Sequence, residues 1–170
     1  MPLLSVAHPR DAADRTWLLE LWGRAWSDTF MVSRGRIYRL EDVEARIAWL
    51  DGERVGAVTF HIGAAADGRL ECEVVSLNSL REGQGVGSRL LAAAEEAALQ
   101  AGCRRIWLTT TNDNTRALRF YQRQGYRLVA LYPGAMDEAR KLKPAIPLVG
   151  NDGIPIRDEI ELEKALPVTG

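Results

Sequence analysis

Between Arg81 and Gly87 the chain reads Arg-Glu-Gly-Gln-Gly-Val-Gly, and Ser88 to Gln100 follows with helical periodicity. A glycine loop that opens a helix aims several backbone N–H groups, and the positive end of the helix dipole, at one spot. Such a nest suits phosphate oxygens. The spacing is G-x-G-x-G and no lysine follows Gly87, which argues against a P-loop, and the loop comes after three strands rather than opening a βαβ unit, which argues against a dinucleotide fingerprint. A tight strand-to-helix connection would look the same, so both readings stay open at this point. Upstream, Glu71 and Glu73 lie two residues apart on a strand and share one face. Asp158 falls between Ile156 and Ile160 on an alternating apolar face, where a carboxylate needs a partner. Arg34, Arg36 and Arg39 gather positive charge in a short segment that reads as a solvated loop. Cys72 points away from the two glutamates and Cys103 sits beyond a helix stop, with no base placed for either thiol. These cysteines and the two histidines, His8 and His61, lack metal-ligand spacing, so no metal is expected.

The elements that must position these residues can be read from periodicity. Leu3 to Val6 reads as a strand. From Asp14, a candidate N-cap, Trp17, Leu18, Leu21, Trp22, Ala25 and Trp26 recur at three-to-four residue spacing and predict an amphipathic helix. Ala45–Leu50, Val55–Ile62 and Leu70–Leu77 predict three strands joined at Asp51-Gly52 and Asp67-Gly68, hence an antiparallel meander. The helix Ser88–Gln100, stopped by Gly102, then leads to a strand over Arg105–Thr111, an order that permits a right-handed parallel crossover. Asn112-Asp113-Asn114 caps a helix to about Gln124, Tyr126–Tyr132 begins another strand, and Ile154–Glu163 is the last. The fold class is therefore α/β (α+β), with a mixed twisted sheet of six or seven strands, antiparallel in its N-terminal part, and helices on both faces.

Two segments of this framework resemble a known family. Glu82-Gly83-Gln84-Gly85-Val86-Gly87-Ser88-Arg89-Leu90-Leu91 is similar to motif A of the GCN5-related N-acetyltransferases, and Asn114 to Tyr126 is similar to their motif B. The resemblance covers residues 70 to 130 and departs at Glu82, where the family usually carries Arg or Gln. It implies acetyl transfer from acetyl-CoA to the amine of a small molecule, by direct attack within a ternary complex. By the same resemblance, Leu77 and Asn78, the loop Glu82 to Ser88 (including Gln84, Gly85, Val86 and Gly87), and Asn114, Ala117 and Tyr121 would hold the co-substrate. Tyr121 falls at the family's general-acid position. An alkyl amine is mostly ammonium at neutral pH, so a proton acceptor is also needed; Glu71, by register, and Glu73 are the candidates, with a water chain as the alternative. Asn114 would touch the pantetheine arm, although a helix N-cap role uses the same side-chain oxygen. Acceptor choice in the family varies with the first-helix loop and the C-terminal region. Here that selects Arg34 and Arg36, which would suit an acceptor bearing a carboxylate, and Asp158.

Length and composition fit this reading. The chain has 170 residues, 46% hydrophobic and 26% charged, which suits one domain spanning 1–170 with its own core. Its 22 basic and 23 acidic side chains leave a formal charge of −1, so no global field attracts nucleic acid, and no apolar run is long enough to cross a membrane. Two cysteines and an N-terminus without signal-peptide character point to the cytoplasm. A homodimer is left open. The competing functions are a catalytically weak CoA-binding regulatory module, a protein or peptide N-acetyltransferase, and a nucleotide-binding enzyme.

Overall fold

A computed structural model of the chain describes residues 2–167. Nine strands and four helices follow in the order β1 (Leu4–Ala7), α1 (Ala12–Trp26), β2 (Phe30–Ser33), β3 (Arg36–Arg39), β4 (Glu44–Leu50), β5 (Glu53–Ala64), β6 (Leu70–Ser79), α2 (Val86–Gln100), β7 (Arg105–Thr111), α3 (Thr115–Arg123), β8 (Arg127–Tyr132), α4 (Ala135–Leu142) and β9 (Glu159–Ala165). Seven strands form one sheet in the order β1-β4-β5-β6-β7-β9-β8, and β2–β3 is a separate hairpin. Among the described residues only the β6–β7 pair is parallel, as the intervening α2 crossover requires. The expected meander is β4-β5-β6, and at its first turn Asp51 and Gly52 both take positive φ (50° and 87°), the geometry that a two-residue hairpin needs.

Alternation along β4 and β5 divides the interior into two layers. Ala48, Val55 and Val58 pack with Leu90, Leu91, Ala94 and Ala98 of α2, while Ile47, Trp49 and Ala57 pack with Leu18, Leu21 and Trp22 of α1. Side chains of successive strand residues point to opposite faces, with one slip at the bulge where Val55 is the extra residue, so α1 and α2 lie on opposite sides of the sheet.

Four readings of the sequence change. The N-cap of α1 is Asp11, whose side chain accepts the Asp14 N–H at 2.9 Å; Asp14 lies in the first turn, fully buried between Arg10 and Arg54. The arginine-rich segment is the β2–β3 hairpin, turning at Arg34 and Gly35, because Phe30, Met31 and Val32 find partly buried sites and Tyr38 a buried one that a loop reading overlooks. The last strand starts at Glu159, five residues later than Ile154, so Asp158 stands before the strand and not on its apolar face. There its Oδ1 accepts the Gly134 N–H at the start of α4, a helix the sequence reading did not anticipate.

Candidate active site

The site begins with a defect in the sheet. β6 and β7 are paired only at Glu71–Arg105, Cys72–Ile106 and Glu73–Trp107, yet β6 runs on to Ser79 and β7 to Thr111. On its other side β6 pairs with β5 throughout, but Thr59 faces Ser76 while Phe60 faces Val74, so Val75 is a bulge that bends β6 away from β7. The two strands part beyond Glu73. Backbone groups of β6 from Val74 onward therefore have no partner strand on that edge.

A cleft of about 710 Å³ occupies this opening on the α2 and α3 side. Leu77, Asn78 and Ser79 form one wall, the loop from Arg81 to Ser88 the floor, and Asn114, Arg116, Ala117, Phe120 and Tyr121 the other wall. Of the loop residues expected there, Gln84 alone is not part of the lining. The N-cap of α2 is Gly85 at φ 73°, a left-handed conformation that favours glycine, and no side chain caps the helix. The first-turn N–H groups of α2 are thus unclaimed by side chains and face the cleft floor. Glu82, whose carboxylate would oppose an anion, is met by Arg116 from across the cleft, and Arg81 is met by Glu53.

Residues missed by sequence reasoning hold this wall in position. Trp26 Nε1 donates to Asn78 Oδ1 at 3.1 Å and Trp22 Nε1 to Ser76 Oγ at 3.0 Å, so α1 grips β6 from the opposite face of the sheet. A Cβ on Gly56 would stand 2.5 Å from the Asn78 carbonyl oxygen, which makes this strand glycine a close-approach position. An interior strand glycine was the available signal. Asn151 also lines the cleft, tied through its backbone and side-chain nitrogens to Asp113 Oδ2, both at 3.0 Å. Asn112 fastens the same C-terminal segment by accepting from the N–H groups of Arg157 and Asp158. In the run 112–114 only the third residue is the helix cap: Asn114 Oδ1 accepts from Ala117 N at 3.3 Å.

Tyr121 sits in the last turn of α3 with its ring edge-on to Phe120 and Tyr126 at 5.1 and 5.6 Å between centroids. Tyr121 lines the cleft, and its hydroxyl makes no hydrogen bond among the described residues. Burial pushes the phenol above its ordinary range, so it remains a proton donor. Tyr126, by contrast, donates to Glu95 Oε1 at 3.0 Å.

The two glutamates of β6 share a face, as their spacing requires, but not an environment. Glu71 is engaged by Arg104 and Arg105; against the cost of burial, those guanidiniums hold its carboxyl below the usual range. Glu73 is 5% exposed, accepts from Tyr38 Oη through Oε2, and has no partner on Oε1. Burial raises its carboxyl above the glutamate range against the opposing pull of the Ser33 and Tyr38 hydroxyls. Neither glutamate lines the α2 cleft. Glu73 stands in the last paired row of β6 and β7, at the lip of the opening and on the α1 face of the sheet.

The hairpin covers this lip. Ser33 Oγ lies 3.1 Å from Thr109 Oγ1, Tyr38 reaches Glu73, and Arg34 bonds to Glu159 at 3.1 Å while its guanidinium stacks 3.3 Å over the Tyr132 ring. Arg34 is therefore committed within the protein. Arg36 is exposed and has no carboxylate partner among the described residues. Both cysteines are buried free thiols, and burial pushes their pKa values up. Among the described residues no cluster of three metal-ligating side chains occurs, and no helix is long and apolar enough to cross a membrane.

Comparison with known proteins adds an independent line of evidence. Residues 13–126 match the family model described as the acetyltransferase (GNAT) family. The chain is 39% identical over 164 residues to the uncharacterized protein YdhI of Bacillus subtilis, covering 96% of this chain and 99% of that one. It is 41% identical over 91 residues to an aminoalkylphosphonate N-acetyltransferase of Salmonella typhimurium, covering 51% of this chain and 58% of the relative. In fold it is similar to a Bacillus subtilis acetyltransferase solved in complex with CoA, with a TM-score of 0.70 at 20% identity over 97% of this chain and all of the other.

Proposed function

Because the chain belongs to the GNAT family of acetyltransferases and is an N-acetyltransferase that uses acetyl-CoA, we propose that it acetylates the primary amine of a small molecule by direct attack in a ternary complex. The observation that carries this reading is the opening between β6 and β7, which has unclaimed α2 amides at one end and the half-satisfied Glu73 carboxylate at the other.

Each part of the chemistry finds a group suited to it. The first-turn amides of α2, with Gly83 to Gly87, are arranged to hold the pyrophosphate of acetyl-CoA, so a polyanion can bind without a surplus of lysine. The unpaired edge of β6 supplies N–H and C=O groups for the amide-bearing pantetheine arm, as a partner strand would. Of the backbone N–H groups at Leu77 and Asn78, the one directed away from β5 is the candidate to polarise the acetyl carbonyl, a role in which preorganised donors are most effective. Glu73, with a free oxygen and a raised pKa, takes the proton from the acceptor ammonium, and it does so better than the ion-paired Glu71. As the C–N bond forms and the C–S bond breaks, the Tyr121 hydroxyl gives its proton to the departing sulfur, and the second proton, which the nitrogen sheds on becoming an amide, restores the phenol through solvent. Asn114, while capping α3, keeps its amide nitrogen available at the cleft.

A small acceptor is favoured over a protein tail because the β2–β3 hairpin roofs Glu73, leaving a recess and not an open groove. The 41% identity to an enzyme named for aminoalkylphosphonates points the same way. Thermal unfolding with acetyl-CoA, ATP and NAD in parallel tests the donor: acetyl-CoA should raise the melting temperature and the other two should not, since only a ligand of the folded state stabilises it. Release of free thiol from acetyl-CoA on adding small amines, and not on adding peptides, tests the acceptor.

A further inference from the structure

A second cavity, of about 300 Å³, lies on the α1 face of the sheet below the hairpin and is separate from the α2 cleft. Its walls include three aromatic rings, Tyr38, His61 and Trp107, and three charged side chains, Glu71, Glu73 and Arg36. Not all of the charge is available. Glu71 is neutralised by Arg104 and Arg105. Glu73 has one oxygen on Tyr38 and the other, Oε1, buried without a partner. Arg36 at the rim rests 4.6 Å over the Tyr38 ring and 3.4 Å from His61 Nε2; among the described residues it forms no salt bridge, and its charge acts on Glu73 only from a distance. The arginines around it, Arg34, Arg104 and Arg105, are all taken up in ion pairs. The recess thus offers a carboxylate with one unpartnered oxygen inside and an arginine without a salt bridge at its mouth.

A buried carboxylate oxygen without a donor costs stability until something supplies one, and an ammonium does so best. A guanidinium free of acidic partners presents a planar fork suited to a carboxylate or a phosphonate. We infer that this cavity is the acceptor subsite, and that it selects primary amines bearing an acid group, the ammonium on Glu73 and the acid on Arg36. The inference rests on the acetyl-transfer reading and deepens it. Glu73 stands in the last paired row before β6 and β7 part, so an amine on its carboxylate lies at the edge of that opening, and Tyr38, His61 and Trp107 line the space left for the rest of a small molecule. Arg36 is a specificity residue in this arrangement, and Arg34, committed to Glu159 and Tyr132, is not.

The test uses the whole protein with acetyl-CoA and three acceptors of matched carbon skeleton: an α-amino acid, a 1-aminoalkylphosphonate and the corresponding plain alkylamine. Thiol release gives kcat/KM for each in wild type, in Arg36→Gln, and in Arg39→Gln, which changes an exposed arginine of the same strand outside the cavity. Wild type should prefer at least one acid-bearing amine. Arg36→Gln should lower the ratio of acid-bearing to plain amine by about tenfold, the lower range for a charge-assisted hydrogen bond at an exposed rim. Arg39→Gln should leave that ratio as it is. The relative rates of the first two acceptors tell which acid group the fork takes. Preference of wild type for the plain amine, or an equal loss on all three acceptors in Arg36→Gln, overturns the inference while acetyl transfer stands. Absence of thiol release with every amine, in a protein whose melting temperature acetyl-CoA still raises, overturns both.

Discussion

Replacing Tyr121 by Phe separates the proposed chemistry from packing more cleanly than any other substitution. The ring keeps its edge-on contacts with Phe120 and Tyr126, and the hydroxyl that disappears has no hydrogen bond to lose among the described residues. Stability should therefore change by no more than about 0.5 kcal/mol. The chemical effect should be far larger. A positioned general acid contributes ~10²–10⁴-fold. A thiol has a pKa near ~8.5, so its anion leaves fairly well unaided and the lower figure applies at neutral pH, about 10²-fold or ~2.7 kcal/mol. Above that pH the thiolate needs no proton at all, so the ratio of wild-type to variant kcat should shrink as the assay moves from pH 7 to pH 9.5. The measurement is thiol release against pH, paired with melting curves at rising acetyl-CoA to show that binding is retained. Tyr126→Phe serves as the counterpart. It gives up the hydrogen bond to Glu95, which should cost about 1 kcal/mol, or ~2–4 °C in melting temperature, with kcat unchanged. If Tyr121→Phe keeps full kcat at pH 7, the phenol belongs to the core and the proton reaches sulfur by another route.

Three further expectations follow from named contacts. A base must be ionised to act, so activity should fall as pH drops through the raised pKa of Glu73; Glu73→Gln should lower kcat and abolish that acidic limb, whereas Glu71→Gln should preserve it, and an intact limb in Glu73→Gln would assign the proton to water. Burial pushes the Asp14 carboxyl up, but hydrogen bonds from the Arg10 backbone and the Arg10 and Arg54 side chains prevail and lower it from 3.8 to about 2. Its contribution is then present above the unfolded value of 3.8 and lost toward pH 2, so the stability gap between wild type and Asp14→Asn should narrow across that window in pH-dependent melts; a constant gap would place the interaction elsewhere. Gly56→Ala puts a methyl 2.5 Å from the Asn78 carbonyl and against Val86 and Leu90, which should cost ~1–3 kcal/mol and weaken stabilisation by acetyl-CoA; a variant as stable and as responsive as wild type would mean the wall gives way freely.

Local signals in the chain determined most of the framework. The Asp51-Gly52 turn, the alternation of β4 to β6, the alanine-rich stripe of α2 and the asparagine cap of α3 are rules of neighbouring residues, so they can be read without knowing the fold. The place of the glycine loop between β6 and α2 was legible for the same reason, whereas Tyr121 was singled out by the family resemblance. The β2–β3 hairpin and α4 were not, because Val32 is partly covered by Met136, Ala139 and Ile156, residues more than one hundred positions away in the chain. Asp158 was misplaced since a terminal run of isoleucines alternates whether or not a strand has begun.

Tertiary structure alone decided which charges are free. Glu71 and Glu73 are two residues apart and identical in type, yet Arg104 and Arg105 form salt bridges with one, while the other is met by hydroxyl groups and by no salt bridge among the described residues. Arg34 and Arg36 differ in the same way, one locked to Glu159 and the other open. Sequence specifies which side chains carry charge. Whether a charge is compensated depends on partners brought in across the sheet, and in a buried, weakly screened site that compensation sets both the proton affinity and the ligand that fits.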